Sequence, residues 1–231
     1  MHLKKLILAA ALLFLALTWQ AFADHAHTHI ARNQDQTPGN SDDNKLWLFS
    51  DPGLPEFPGW PVLELEPTGI FHPSTGKQDY ICSYLYCWHS AHPPHGNWQL
   101  GGDDENTPPG WDIYLRRVAF DDDFFVLDGR DLIFANNGDE VSMMDEKEWM
   151  PDKYNENGTL GAWGFHVHQY FHAWADGPGQ TFSATFQALD YGSTGFTASD
   201  DFTLTFVTVP EPVTLVLLGI GGCFVVSRRH R

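Results

Sequence analysis

Positive charge is scarce in this 231-residue chain: 13 Lys and Arg stand against 30 Asp and Glu, a formal net charge of −17. Lys4 and Lys5 fall at the start, and Arg228, Arg229 and Arg231 at the end, so the stretch between is more acidic still. Such a surface repels phosphate backbones and anionic lipid, which excludes nucleic acid as a partner, and it attracts cations. Cysteine is also scarce, with three in all, so this is no disulfide-dense scaffold. No apolar run reaches the roughly 20 residues that span a bilayer. Catalytic signatures are missing as well: there is no Gly-X-Ser-X-Gly, no His-Glu-X-X-His and no phosphate-binding glycine loop, so the chain is not expected to be an enzyme. The acidic stretches 101–106 and 128–131 both fall short of a complete calcium-loop pattern.

The ends of the chain carry addresses. "MHLKK" is a short basic start, "LILAAALLFLAL" an apolar run, and "AFA" a small-residue finish, the three-part layout of a secretory signal peptide over 1–23 with cleavage after Ala23. At the other end, Pro210-Glu211-Pro212 precedes an apolar run over 213–226 and a cluster of arginines. That order reads as a short membrane segment with a positive stop on the cytoplasmic side, an anchor for transient use. The tail, 209–231, resembles a PEP-CTERM sorting signal. The resemblance implies export by the Sec machinery, transient anchoring in the inner membrane, processing by an exosortase, and delivery to the cell surface or extracellular matrix.

Between these ends, 24–45 is polar and reads as a flexible, histidine-bearing arm. The segment 46–208 reads as one domain. Short stretches rich in Phe, Tyr, Val and Thr recur between Gly, Pro, Asp and Asn. Strands are expected at 45–49, 61–66, 79–88, 111–120, 123–128, 131–136, 164–174, 180–189 and 201–209. In the last two the alternation is strict: Phe182, Ala184 and Phe186 face one way and Thr181, Ser183 and Thr185 the other, and Phe202, Leu204 and Phe206 repeat the pattern. The expected fold is all-β, a single antiparallel β-sandwich or jelly-roll-like domain. One short helix is expected over 138–150, from Val141, Met144 and Glu148 at helical spacing with Pro151 as a stop.

Ten of the twelve histidines lie between His25 and His172, in three clusters and one isolated residue. His166 and His168 are two apart on an expected strand, so their side chains share a face about 6.6 Å apart, close enough to ligate one ion. His172 lies about 13 Å beyond His168 in a regular strand and joins only if the strand bends. His25, His27 and His29 repeat the every-second-residue spacing in the arm, a chelating pattern for Zn²⁺, Cu²⁺ or Ni²⁺. His89, His92 and His95 sit beside Pro93 and Pro94, which forbid a regular helix, and read as a loop. A histidine pair on an exposed strand is also ordinary polar surface. Cys82 and Cys87 either form a disulfide, which requires a break in the strand between them, or remain as two thiols available to metal.

The stretch 164–207 is similar to the end of a group of histidine-rich bacterial surface proteins, at His166, His168, Gly179, Asp190, Gly192, Gly195, Ser199, Phe202 and Phe206. Some of that group carry PEP-CTERM tails and a histidine-rich mature N-terminus, and some are associated with zinc-responsive regulation or metal uptake. The resemblance implies a divalent metal, zinc above all, bound through histidines. The alternative is a carbohydrate-binding or matrix protein without a specific metal, with exopolysaccharide as partner and Trp60, Trp98 and Trp111 as sugar-stacking candidates.

Overall fold

The computed structural model describes residues 27–32, 44–50, 62–82, 86–90, 100–102, 104–154 and 159–211. They form β1 (His27–Arg32), β2 (Leu46–Ser50), β3 (Val62–Phe71), β4 (Gln78–Cys82), β5 (Tyr86–Ser90), β6 (Ile113–Phe120) and β7 (Phe124–Asp128). Then come β8 (Asp131–Ile133), β9 (Glu140–Ser142), β10 (Glu148–Tyr154), β11 (Leu160–Gly164), β12 (His166–Ala175), β13 (Thr181–Asp190) and β14 (Phe202–Thr208). The all-β sandwich expected from the alternation is present, as a large sheet nearly closed on itself. Its strands run β2-β1-β5-β12-β4-β3-β14-β13-β6-β9, with β7 also on β12 and β8 beside β7. β10 and β11 form a separate two-stranded sheet. The large sheet is mixed rather than purely antiparallel, because β1 runs parallel to β5 and β14 parallel to β3. Both parallel pairs join strands distant in sequence, as the absence of a tight-turn solution for parallel neighbours requires.

The ten residues of β12 organise the sheet. The first half of the strand pairs with β5 and the second half with β4, while β7 pairs with its middle. Between the pairs Gln169–Tyr86 and His172–Ile81, β12 advances three residues and the facing chain five. At this offset the sheet divides: β5 continues to β1 and β2, and β4 continues to β3, β14, β13 and β6. The offset is also the break that a Cys82–Cys87 bridge would need. Cys82 is buried, and the side chain of Cys87 lies outside the described residues.

Alternation along β12 decides what the core receives. Phe165, Gln169, Phe171 and Ala173 are buried on one side, and Phe171 packs against Phe124, Phe186 and Phe206. Phe186 in turn meets Trp88, Phe120 and Phe134 at centroid distances of 5.1, 5.0 and 5.7 Å, inclined edge to face. A buried indole must satisfy its N–H, and Trp88 Nε1 donates to Oε1 of the equally buried Gln169 at 2.8 Å. Gly192 passes so close to the carbonyl of Gly110 that a Cβ there would overlap it.

Two expectations are corrected. The polar arm over 24–45 contains β1, which lies between β2 and β5 with Thr28, Ile30 and Ala31 fully buried. The helix over 138–150 is instead β9, one 3-10 turn at Met144–Glu146, and β10. The vacant edge of β6 explains it. Val141 pairs with Leu115 and Glu140 with Arg116, and Met143 is fully buried. Tertiary pairing overrides a local helical spacing of only three residues. Pro151, expected as a stop, lies within β10, whose ladder with β11 is irregular between Met150 and Tyr154. Residues 1–23, with the cleavage position Ala23, lie outside the described residues, as do His25 and the tail from Pro212 onward. Among the described residues no helix is long and apolar enough to cross a membrane.

Ile30→Ala distinguishes a structural strand from an arm. Emptying a fully buried isoleucine site costs about 2–5 kcal/mol, read as a lower urea midpoint at unchanged slope, whereas truncation in an arm leaves the midpoint unmoved.

Candidate metal centre

Three adjacent strands each carry ligand-type residues two positions apart: His27 and His29 on β1, Cys87 and His89 on β5, His166 and His168 on β12. The register brings them together. His27 pairs with Cys87 and Cys87 with His168; His29 pairs with His89 and His89 with His166. Side chains alternate across a strand, so the six positions share one face. The rung between them, Thr28–Trp88–Val167, faces the other way, and there Trp88 is wholly buried in the core. Strands about 4.8 Å apart and rungs about 6.6 Å apart confine the six Cα atoms to a patch roughly 10 Å by 7 Å.

Of these side chains, those of His29, His166 and His168 are described. The rings of His166 and His168 lie 4.5 Å apart between centroids, inclined at 45°. That spacing is short enough for both to reach one ion at the usual Zn–N distance of about 2.0–2.1 Å. Both residues are half-buried, with the Nε2 of each closed to solvent. His29 is 2% exposed, and both its ring nitrogens are closed to solvent. Neutral imidazole is the metal-binding form. Among the described side chains no three metal-ligating groups converge; those of His27, Cys87 and His89 stand outside that set.

His172 serves a different purpose. In register it stands between Ile81 and Phe125, and its ring stacks on Phe125 at 5.1 Å and 18°. Its Nδ1–H donates to Asp79 Oδ1 at 3.0 Å, and Asp79 Oδ2 accepts from Thr68 Oγ1 at 3.0 Å. Both His172 and Asp79 are buried, so each supplies the partner the other needs. β12 continues as a strand past His168, and the bend that would carry His172 to the pair is not made.

The other sequence candidates separate in the same way. Trp111 is 1% exposed, donates from Nε1 to the Gly101 carbonyl at 3.0 Å, and carries the Lys147 ammonium 4.0 Å from its ring centroid. It is a core residue rather than a sugar platform. Trp60, Trp98, His92 and His95 lie outside the described residues. In the acidic stretch 101–106, Asp104 closes its own turn by accepting from Asn106 N and Thr107 Oγ1, and these bonds hold its carboxyl below the usual carboxylate range, Thr107 contributing most.

Sequence reasoning placed His89 with the loop histidines and missed Cys87 as its neighbour at the site. The local signal was available, because Cys-Trp-His has the same every-second-residue spacing as His-Thr-His and His-Val-His. The fold and this face define the class: an all-β sandwich with a histidine-bearing sheet surface. No protein-family model matches the chain, and no curated protein matches it. Among solved structures it is similar to the crystal structure of ACE19, the collagen binding subdomain of the Enterococcus faecalis surface protein ACE. The identity is 9%, the alignment covers 66% of this chain and 99% of that one, and the TM-score is 0.18, a value that carries no argument about this protein.

Substituting His172 by Ala strands a buried carboxylate and is expected to cost about 1–3 kcal/mol in chemical denaturation. Zinc affinity should be unchanged in the same variant, and a loss of affinity matching that of a His166→Ala variant would return His172 to the metal set.

Proposed function

We propose that this is an exported, surface- or matrix-sorted protein that binds a divalent metal, zinc or a zinc-like ion, for capture or buffering rather than catalysis. The observation that carries the reading is the register of β1, β5 and β12, which sets His29 in one rung with His166 and places His168 on the same face one rung away. Imidazole is a ligand type that suits zinc, copper or nickel and suits calcium or magnesium poorly, since those take oxygen ligands. The acidity of the chain supports the same reading by raising the local concentration of cations. The sorting role rests on the sequence of the two ends. The last strand ends at Thr208, two residues before Pro210, so Pro210 and Glu211 leave the domain without interrupting a strand. The carbohydrate reading has less support, since Trp111 is core.

Metal analysis and calorimetric titration of the purified protein provide the test. Zn²⁺ is expected to bind and Ca²⁺ not to compete. A ligand that binds only the folded state stabilises it by about 2.7 kcal/mol at a hundredfold excess over Kd, so zinc should raise Tm and chelation should reverse the rise. The His166→Ala/His168→Ala protein should lose this response. Equal zinc affinity in that double variant, in His29→Ala and in the unmodified protein would overturn the reading.

A further inference from the structure

We infer that the middle strand completes the metal centre: Cys87 and His89 are ligands, and the site is a mixed imidazole–thiolate one for a borderline or soft ion such as Zn²⁺ or Cu⁺. This rests on the proposed metal-binding function and adds to it the ligands and the class of ion.

The argument begins with a gap. His29 and His166 occupy one rung but stand on strands that are not neighbours, separated by the width of β5 at about 9.6 Å. Any ion shared between β1 and β12 therefore lies over β5, and the β5 residues beneath it on that face are Cys87 and His89. β5 supplies no inert spacer at either position. In one rung the order is His27, Cys87, His168; in the next it is His29, His89, His166. All six register positions hold a residue type that binds transition metals, and the intervening rung holds none.

The alternation also explains a local oddity of β5. Trp88 faces the core, where its indole N–H meets Gln169, and positions 87 and 89 belong by alternation to the opposite face of the strand. A thiolate changes the chemistry of the set. Sulfur favours Zn²⁺ and Cu⁺ over the harder divalent ions, and ligation displaces the thiol proton to solvent, so metal uptake releases acid. It also makes the centre a cross-link of three strands, holding the N-terminal strand β1 to β5 and β12.

The test uses Co²⁺ as a probe in the full chain, reduced with a phosphine that does not compete for metal. Tetrahedral Co²⁺ with a sulfur ligand shows near-ultraviolet sulfur-to-metal charge transfer in addition to its visible bands. The protein is expected to show both, and Zn²⁺ to displace them. Cys87→Ser should lose the charge-transfer band and bind Zn²⁺ at least about tenfold more weakly, since loss even of a residue supporting a ligand costs about 10–100-fold. The Cys82→Ala/Cys223→Ala protein, which keeps Cys87 alone, should retain the band. His89→Ala should keep the band and weaken Zn²⁺ binding. Co²⁺ binding without charge transfer, or a band that survives Cys87→Ser, overturns this inference and leaves the histidine site standing. Undiminished Zn²⁺ affinity in His89→Ala removes His89 from the set. Absence of Co²⁺ and Zn²⁺ binding altogether overturns both this inference and the proposed function beneath it.

Discussion

The hydrogen bond from Trp88 Nε1 to Gln169 Oε1 joins β5 to β12 inside the core, and much else follows from the register it marks. A strand has a period of two, so a slip of one residue turns every side chain to the opposite face. Slipping β12 by one position against β5 would carry His166 and His168 into the aromatic core and expel Phe165 and Phe171. The penalty for burying unpaired imidazoles, together with the loss of the Phe171 contacts to Phe124, Phe186 and Phe206, makes that alternative untenable. The core thus sets the alignment of the outer face, although no core residue belongs to the candidate site.

The outer face of β12 holds two environments a few residues apart. At its start, His166 and His168 face one another beside β5 and β1. Further on, His172 is committed to Asp79 and stacked on Phe125, which also stacks on Trp174 at 5.8 Å. The division falls where β12 exchanges β5 for β4 as its neighbour. A change of strand partner, more than any change in the strand itself, separates the His166–His168 pair from the structural His172.

Much of this was legible in the sequence, for stated reasons. β14 alternates throughout and β13 as far as Ala188, and their faces are as read: Phe182, Ala184, Phe186, Phe202, Leu204 and Phe206 are buried. The pairing of His166 with His168 followed from spacing alone. β1 was not legible, because His-Thr-His-Ile-Ala-Arg has little apolar content of its own. Its burial is supplied by β2 and β5, one of them a parallel partner that no turn announces. The helical reading of 138–150 failed for a related reason, since three residues at helical spacing were outweighed by the open edge of β6. The convergence of β1, β5 and β12 was beyond reach, because a rung is a property of pairing between distant segments. Only its parts, three short motifs with the same spacing, were visible.

The placement of β1 has a consequence for how the protein comes into being. Synthesis delivers β1 before every other described strand, yet β1 has no neighbour until β2 and β5 exist, and it comes to share a rung with β12 only after most of the domain has emerged. Contacts of such long sequence range close loops late and fold slowly. A partly made chain therefore carries only isolated two-residue motifs, and the assembled array exists only once topology is complete. Under the proposed metal-binding function, metal retention would distinguish finished molecules from unfinished ones.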